Sequence, residues 1–177
     1  MSVLQVIYII YMTERIYLLL NDIRSSLNVG SLLRTADGLG VSEVFLCGYT
    51  PYPAVTHDPR LPHLAAKIDR RIKKSALGAE TSQAWSYEPD VFKVIDQLKR
   101  HGVFILALEQ SSTSQPLSRF KTEASVCLVL GSETTGLSQA VLKSCDAVAD
   151  IAMLGKKESF NVAVAGGMAL FYLRNML

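Results

Sequence analysis

The chain is poor in the residues that hold metals and cross-links. Its 177 residues include 3 cysteines and 3 histidines. Cys47, Cys127 and Cys145 are odd in number and widely spaced, with no CxxC, and His57, His63 and His101 show no ligand spacing. This argues against structural zinc, leaves no metal expected, and suits a reducing cytoplasm. Long apolar runs are also missing. The stretch Val3–Tyr11 is too short to cross a bilayer and has no basic residues ahead of it, so neither a signal peptide nor a membrane partner is expected. No internal repeat or low-complexity linker marks a domain boundary. The net charge is only +2, which by itself announces no nucleic-acid partner.

What is present reads as one folded domain. Hydrophobic residues make up 49% of the chain, enough to exclude disorder. Apolar runs predict strands at Arg15–Leu20, Val41–Cys47, Val103–Leu108, Val126–Leu130 and Ala147–Ile151. Between them lie helical patterns: Val29–Leu39, with Asn28 as N-cap and Gly38 or Gly40 as stop; Asp90 to about Arg100; and a last helix starting near Ser159, capped by Ser159 or Asn161. Alternating strands and helices predict an α/β fold, a parallel-rich sheet flanked by helices. Arg34 falls mid-helix among Leu32, Leu33 and Ala36, where an arginine needs a partner or a task. Between Arg60 and Lys74, Arg60, Lys67, Arg70, Arg71, Lys73 and Lys74 face one acid, Asp69; this is either a solvated helix face or a phosphate-facing patch. Trp85 and Tyr87 either stack on bases or simply pack.

Two strand-to-turn junctions stand out, Gly131–Gly136 and Ala152–Ser159, because open α/β sheets bind ligands at strand C-termini. Gly131 and Gly136 have phosphate-loop spacing, but Leu137-Ser138 follows where Lys-Ser is required, and Glu133 inside the turn repels phosphate. The turn suits a ligand without phosphate but with positive charge, such as S-adenosylmethionine.

Three blocks then carry a resemblance: Asn21–Gly38, with Asn28, Gly30, Arg34 and Asp37; Leu128–Ser138, with Gly131, Glu133 and Gly136; and Ile151–Ala165, with Met153, Gly155, Ser159 and Asn161. Together they resemble the SpoU-type (TrmH-like) branch of the SPOUT RNA methyltransferases over roughly residues 16–177. Residues 1–15 are left as an N-terminal extension or added strand, with Met12 an alternative start. Ala152 stands where that family usually has proline, and Phe160 where it usually has leucine, which bears on loop shape and pocket fit.

The resemblance implies a C-terminal trefoil knot, a homodimer, and methyl transfer from S-adenosylmethionine to a ribose 2'-hydroxyl of RNA. The acceptor is expected to be tRNA, with rRNA as the alternative; an inactive RNA-binding module and a base-methylating relative are the competing readings. It further implies a catalytic set of Arg34, Asn28, Glu133, Ser159 and Asn161. Leu108, Gly131, Ile151, Met153, Ser159, Phe160 and Asn161 would hold the cofactor. RNA would meet Arg34, Lys67, Arg70, Arg71, Lys73 and Lys74. Glu133 would help place Arg34 or the nucleotide, unless it only accepts backbone hydrogen bonds.

Overall fold

The computed structural model describes residues 15–122 and 124–177; the apolar Val3–Tyr11 stretch lies outside them. Among the described residues, seven strands form one sheet in the order β3-β2-β1-β6-β4-β7-β5. They are β1 (Ile16–Asn21), β2 (Glu43–Cys47), β3 (Trp85–Glu88), β4 (Phe104–Leu108), β5 (Gln115–Pro116), β6 (Val126–Leu130) and β7 (Ala147–Asp150). Every ladder is parallel. The helices are α1 (Ser26–Gly38), α2 (Pro62–Ala76), the single turn α3 (Ala79–Ser82), α4 (Val91–Arg100), α5 (Gln139–Ser144) and α6 (Val162–Met176).

Strand alternation divides the core. Leu18, Leu20, Leu46, Leu128 and Leu130 face one side with Leu32 and Leu33 of α1, Ile72 of α2 and Leu170 of α6. Leu19, Phe45, Ile105, Cys127 and Val129 face the other with Val94, Ile95 and Leu98 of α4 and Val141 of α5. Each face is an apolar layer, which is why the central strands read as continuous hydrophobic runs.

Several expectations change in detail. Asn28 is not the cap of α1. Ser25 is, accepting the Asn28 backbone N–H at 3.3 Å, so the helix starts three residues earlier than periodicity suggests. The stop is as expected: the helix ends at Gly38, and Gly40 takes φ +63°, a left-handed turn that glycine adopts without steric cost. Trp85 and Tyr87 belong to β3, an edge strand too short to show alternation. They pack: Trp85 donates to Glu80 O at 3.0 Å, and Tyr87 lies 4.2 Å from Tyr52, ring to ring. Gly166 of α6 serves a contact within the chain. A Cβ on Gly166 would meet Leu130 at 2.6 Å and Leu32 at 2.7 Å, so glycine lets α6 settle onto β6 and α1.

Candidate functional site

The C-terminal ends of β4, β6 and β7 open into a cleft of about 650 Å³. Its apolar lining is Leu108, Leu130, Ile151, Phe160, Val162 and Ala165; its acids are Glu109, Glu133, Asp150 and Glu158. No lysine, arginine or histidine lines it among the described residues. Charge of one sign over an apolar floor attracts a cationic ligand with an apolar body and repels phosphates.

The Gly131–Gly136 turn is held by two carboxylates. Glu109, at the end of β4, accepts the Leu137 N–H at 2.8 Å and the Gln110 N–H at 3.0 Å. Gly136 has φ +65°, and a Cβ there would collide with the Glu109 carboxylate. Gly131 is confined from the other side, since its Cβ would lie 2.6 Å from the Gly136 carbonyl carbon. Two glycines are needed because the turn folds back on its own backbone.

Glu133 reaches the other way. Its carboxylate accepts from Arg24 N at 2.8 Å, Ser25 N at 3.1 Å and Asn28 Nδ2 at 2.8 Å. Burial pushes its pKa up, but the Arg24 and Ser25 amides and the Asn28 side chain outweigh that and hold the carboxyl below its ordinary range. A full negative charge thus sits at the start of α1, on the amides of Arg24 and the cap Ser25, the sign a helix N-terminus favours. Asn28 Oδ1 in turn accepts from Asn161 Nδ2 at 3.2 Å, while Asn161 Oδ1 caps α6 on Ala163 N at 2.9 Å. Asn28, Glu133 and Asn161, one from each sequence block, therefore form one hydrogen-bonded chain.

Arg34 departs from expectation. It is exposed rather than sunk among leucines, and has no hydrogen bond or ion pair among the described residues. The helix turns Leu32 and Leu33 inward and Arg34 outward, so the guanidinium costs nothing to desolvate and is free for an anion. Glu133 has no bond to it; its bonds run to backbone amides and to Asn28. Arg34 stands one helical turn beyond Gly30, and a Cβ on Gly30 would meet Ile72 O and Ser75 Oγ of α2. The basic helix therefore crosses α1 one turn before Arg34.

On α2, Lys67, Arg70, Arg71, Lys73 and Lys74 are exposed while Ala65, Ile72 and Ala76 are buried. Lys73 pairs with Asp69 at 2.6 Å. Arg60 does not join this face; it is held by Asp58 at 2.6 Å and lies 3.6 Å above the Tyr52 ring.

Of the expected cofactor residues, Leu108, Ile151, Ser159, Phe160 and Asn161 line the cleft, and Glu133 lines it as well. Gly131 does not; its neighbours Leu130 and Ser132 do. Met153 lines an adjoining cleft of about 510 Å³ instead. Asn28 and Arg34 stand outside both. Sequence reasoning missed Glu109 and Asp150, although each stands at a strand C-terminus, the one signal that marks them.

A parallel sheet with a cleft at its strand ends is the architecture in which α/β proteins bind small molecules. Residues 15–171 match the SpoU rRNA Methylase family model, and the chain belongs to that family. It is 29% identical over 153 residues to 23S rRNA (guanosine-2'-O-)-methyltransferase RlmB of Neisseria meningitidis serogroup B, covering 86% of this chain and 55% of that enzyme. The chain thus spans about half the length of the curated relatives it matches. Among solved structures it resembles the SpoU methyltransferase AviRb of Streptomyces viridochromogenes in complex with AdoMet, with TM-score 0.76 and 23% identity over 92% of this chain and 58% of that one. It also resembles a structure determined to explain 2-OH methylation of C/U34 on tRNA, with TM-score 0.71 and 22% identity over 90% of this chain and 93% of that one.

Proposed function

We propose that the protein is an S-adenosylmethionine-dependent methyltransferase acting on a ribose 2'-hydroxyl of RNA, with tRNA as its substrate. The observation that carries the reading is the acidic cleft lying against the Asn28–Glu133–Asn161 chain, with an unpaired arginine nearby on α1. The residues present fit the cofactor: the cleft lies within the roughly 300–1,000 Å³ typical of ligand sites, and its acids complement a sulfonium and an ammonium. When bound, S-adenosylmethionine supplies an electrophilic methyl group. Leu108, Ile151, Ser159, Phe160 and Asn161 would hold it, with Gly131 shaping the turn and Met153 contributing from the adjoining cleft. Asn28, Glu133, Ser159 and Asn161 would fix the nucleotide. Arg34 would orient the adjacent phosphate and stabilise oxyanion character at the acceptor oxygen, since a guanidinium is already protonated at neutral pH and has no acceptor site for a proton.

Lys67, Arg70, Arg71, Lys73 and Lys74 would carry the RNA backbone towards Arg34. The likeness to the C/U34-related structure supports tRNA, and the meningococcal relative supports rRNA as the alternative. Two further expectations belong to this reading. A homodimer is supported by the exposed apolar Val164, Met168 and Phe171, which share one face of α6. A trefoil knot is supported by the path of α6, which follows β7 near one sheet edge yet packs on α1, β1 and β6.

The test is methyl transfer from labelled S-adenosylmethionine into total tRNA and rRNA, comparing wild type with Arg34→Ala and mapping product nucleosides by mass spectrometry. The expected result is a 2'-O-methylated tRNA nucleoside, with the rate reduced on the order of a hundredfold in the variant. Its melting temperature should stay within a few degrees, because the side chain is exposed. Undiminished labelling would remove Arg34 from the mechanism, and a methylated base would replace the ribose reading.

A further inference from the structure

The cleft beside the donor site has the opposite electrical character. Its walls are Ala152, Met153, Leu154, Gly155, Lys156 and Lys157, together with Ser159, Phe160 and Asn161. The last three also wall the acidic cleft. Lys156 and Lys157 are exposed and make no ion pair with the described residues, and no carboxylate lines this second cleft. Glu158, next in sequence, lines the first cleft instead. Leu154 is 98% exposed, an apolar side chain with nothing over it, and Phe160 is 40% exposed on the shared wall.

We propose that this second cleft holds the RNA at the nucleotide being modified or its immediate neighbour. Lys156 and Lys157 take a backbone phosphodiester, and Leu154 lies against the apolar face of a base or sugar. This rests on the RNA methyltransferase reading. Methyl transfer requires acceptor oxygen and donor carbon about 3–3.5 Å apart and in line. The acceptor site must therefore share a wall with the donor site, and of these two clefts one repels phosphate and the other attracts it. A nucleotide combines a flat apolar surface with one negative charge, which is what an exposed leucine beside two ammonium groups complements. The basic helix α2 then sets the approach of the RNA, while this loop sets the register at the reacting nucleotide.

The experiment is filter binding of unfractionated tRNA and rRNA to the full chain between about 50 and 200 mM salt. The variants are the double Lys156→Gln/Lys157→Gln, the double Lys→Arg, and Lys143→Gln on α5 as an exposed control. The glutamine pair should bind about tenfold more weakly at the low-salt end, with the slope of log K against log salt shallower by about 0.7, the value for one phosphate contact. The arginine pair and Lys143→Gln should match wild type. Calorimetry should give all variants the same S-adenosylmethionine affinity. An unchanged salt slope overturns the proposal. So does an equal loss of cofactor affinity, which would make this a donor-site loop, or a smaller mass in light scattering, which would make it a subunit contact. A wild type that binds neither RNA sinks the RNA reading itself and this cleft with it.

Discussion

The acidic cleft and the helix α2 are electrical opposites within a chain of net charge +2. The cleft gathers Glu109, Glu133, Asp150 and Glu158 without a cation, and α2 exposes five cations against Asp69. Their side chains are also held differently. Glu109, Glu133 and Asp150 are tied down, Asp150 by Ser114 Oγ at 2.5 Å, whereas Lys67, Arg70, Arg71 and Lys74 have no ion pair among the described residues. Fixed acids shape a cavity for one small ligand. Free, long cations would suit the proposed RNA partner, whose phosphates need only approximate placement. Net charge conceals the segregation that matters.

The strongest way to break the comparison is at the cleft. Gly131→Ala places a methyl against backbone that cannot move cheaply, and should destabilise the protein by about 2–3 kcal/mol and weaken cofactor binding. Gly155→Ala, with nothing within 4 Å of its Cβ, should change stability little. Denaturant unfolding of both separates a packing effect from a glycine effect. At the other pole, replacing Lys67, Arg70, Arg71 and Lys74 by alanine should raise the RNA KM by tenfold or more, on the order expected when several phosphate contacts are lost. The kcat at saturating RNA should hold. A fall in kcat alone would make α2 part of the reacting centre.

Smaller effects sharpen the picture. A carboxyl whose folded pKa is depressed stabilises the fold above its unfolded pKa, and that contribution disappears as pH falls through the folded value. For Glu133, whose ordinary value is 4.5, wild type should exceed Glu133→Gln in stability above about pH 4.5, and the gap should close at lower pH. A gap independent of pH would mean that shape, not charge, ties the turn to α1. The least expected change concerns the thiols. Burial first, and then Glu88, Asp22 and Asp90, push Cys47 up to about 12, and burial also raises Cys127. Thiol reagents at neutral pH should leave both untouched in the folded protein; rapid labelling would show that the core opens.

Much of the architecture was readable in advance because it depends on local pattern. The runs Val126–Leu130 and Phe104–Leu108 are strands because continuous apolar residues suit a sheet covered on both faces. Asp90 caps α4 through Phe92 N at 3.0 Å, as its place before an amphipathic run suggests. The α1 cap is ambiguous for a similarly local reason: Ser25, Ser26 and Asn28 are all capping residues, and only the backbone path selects Ser25. Strand β3 was missed because its packing comes from Tyr52, far along the chain.

The site divides along the same line. The residue types at the strand ends, the missing phosphate-loop lysine and the glycine spacing were decided by the sequence, since turn chemistry depends on neighbours a few residues away. Partnerships were not. Asn28 bonds to Glu133 across 105 residues and to Asn161 across 133, and Arg34 is turned to solvent by the way α1 seats its leucines against β6 and α6. Only the tertiary structure settles such contacts, because hydrogen bonds and burial depend on where distant segments meet in space, and periodicity carries no record of that.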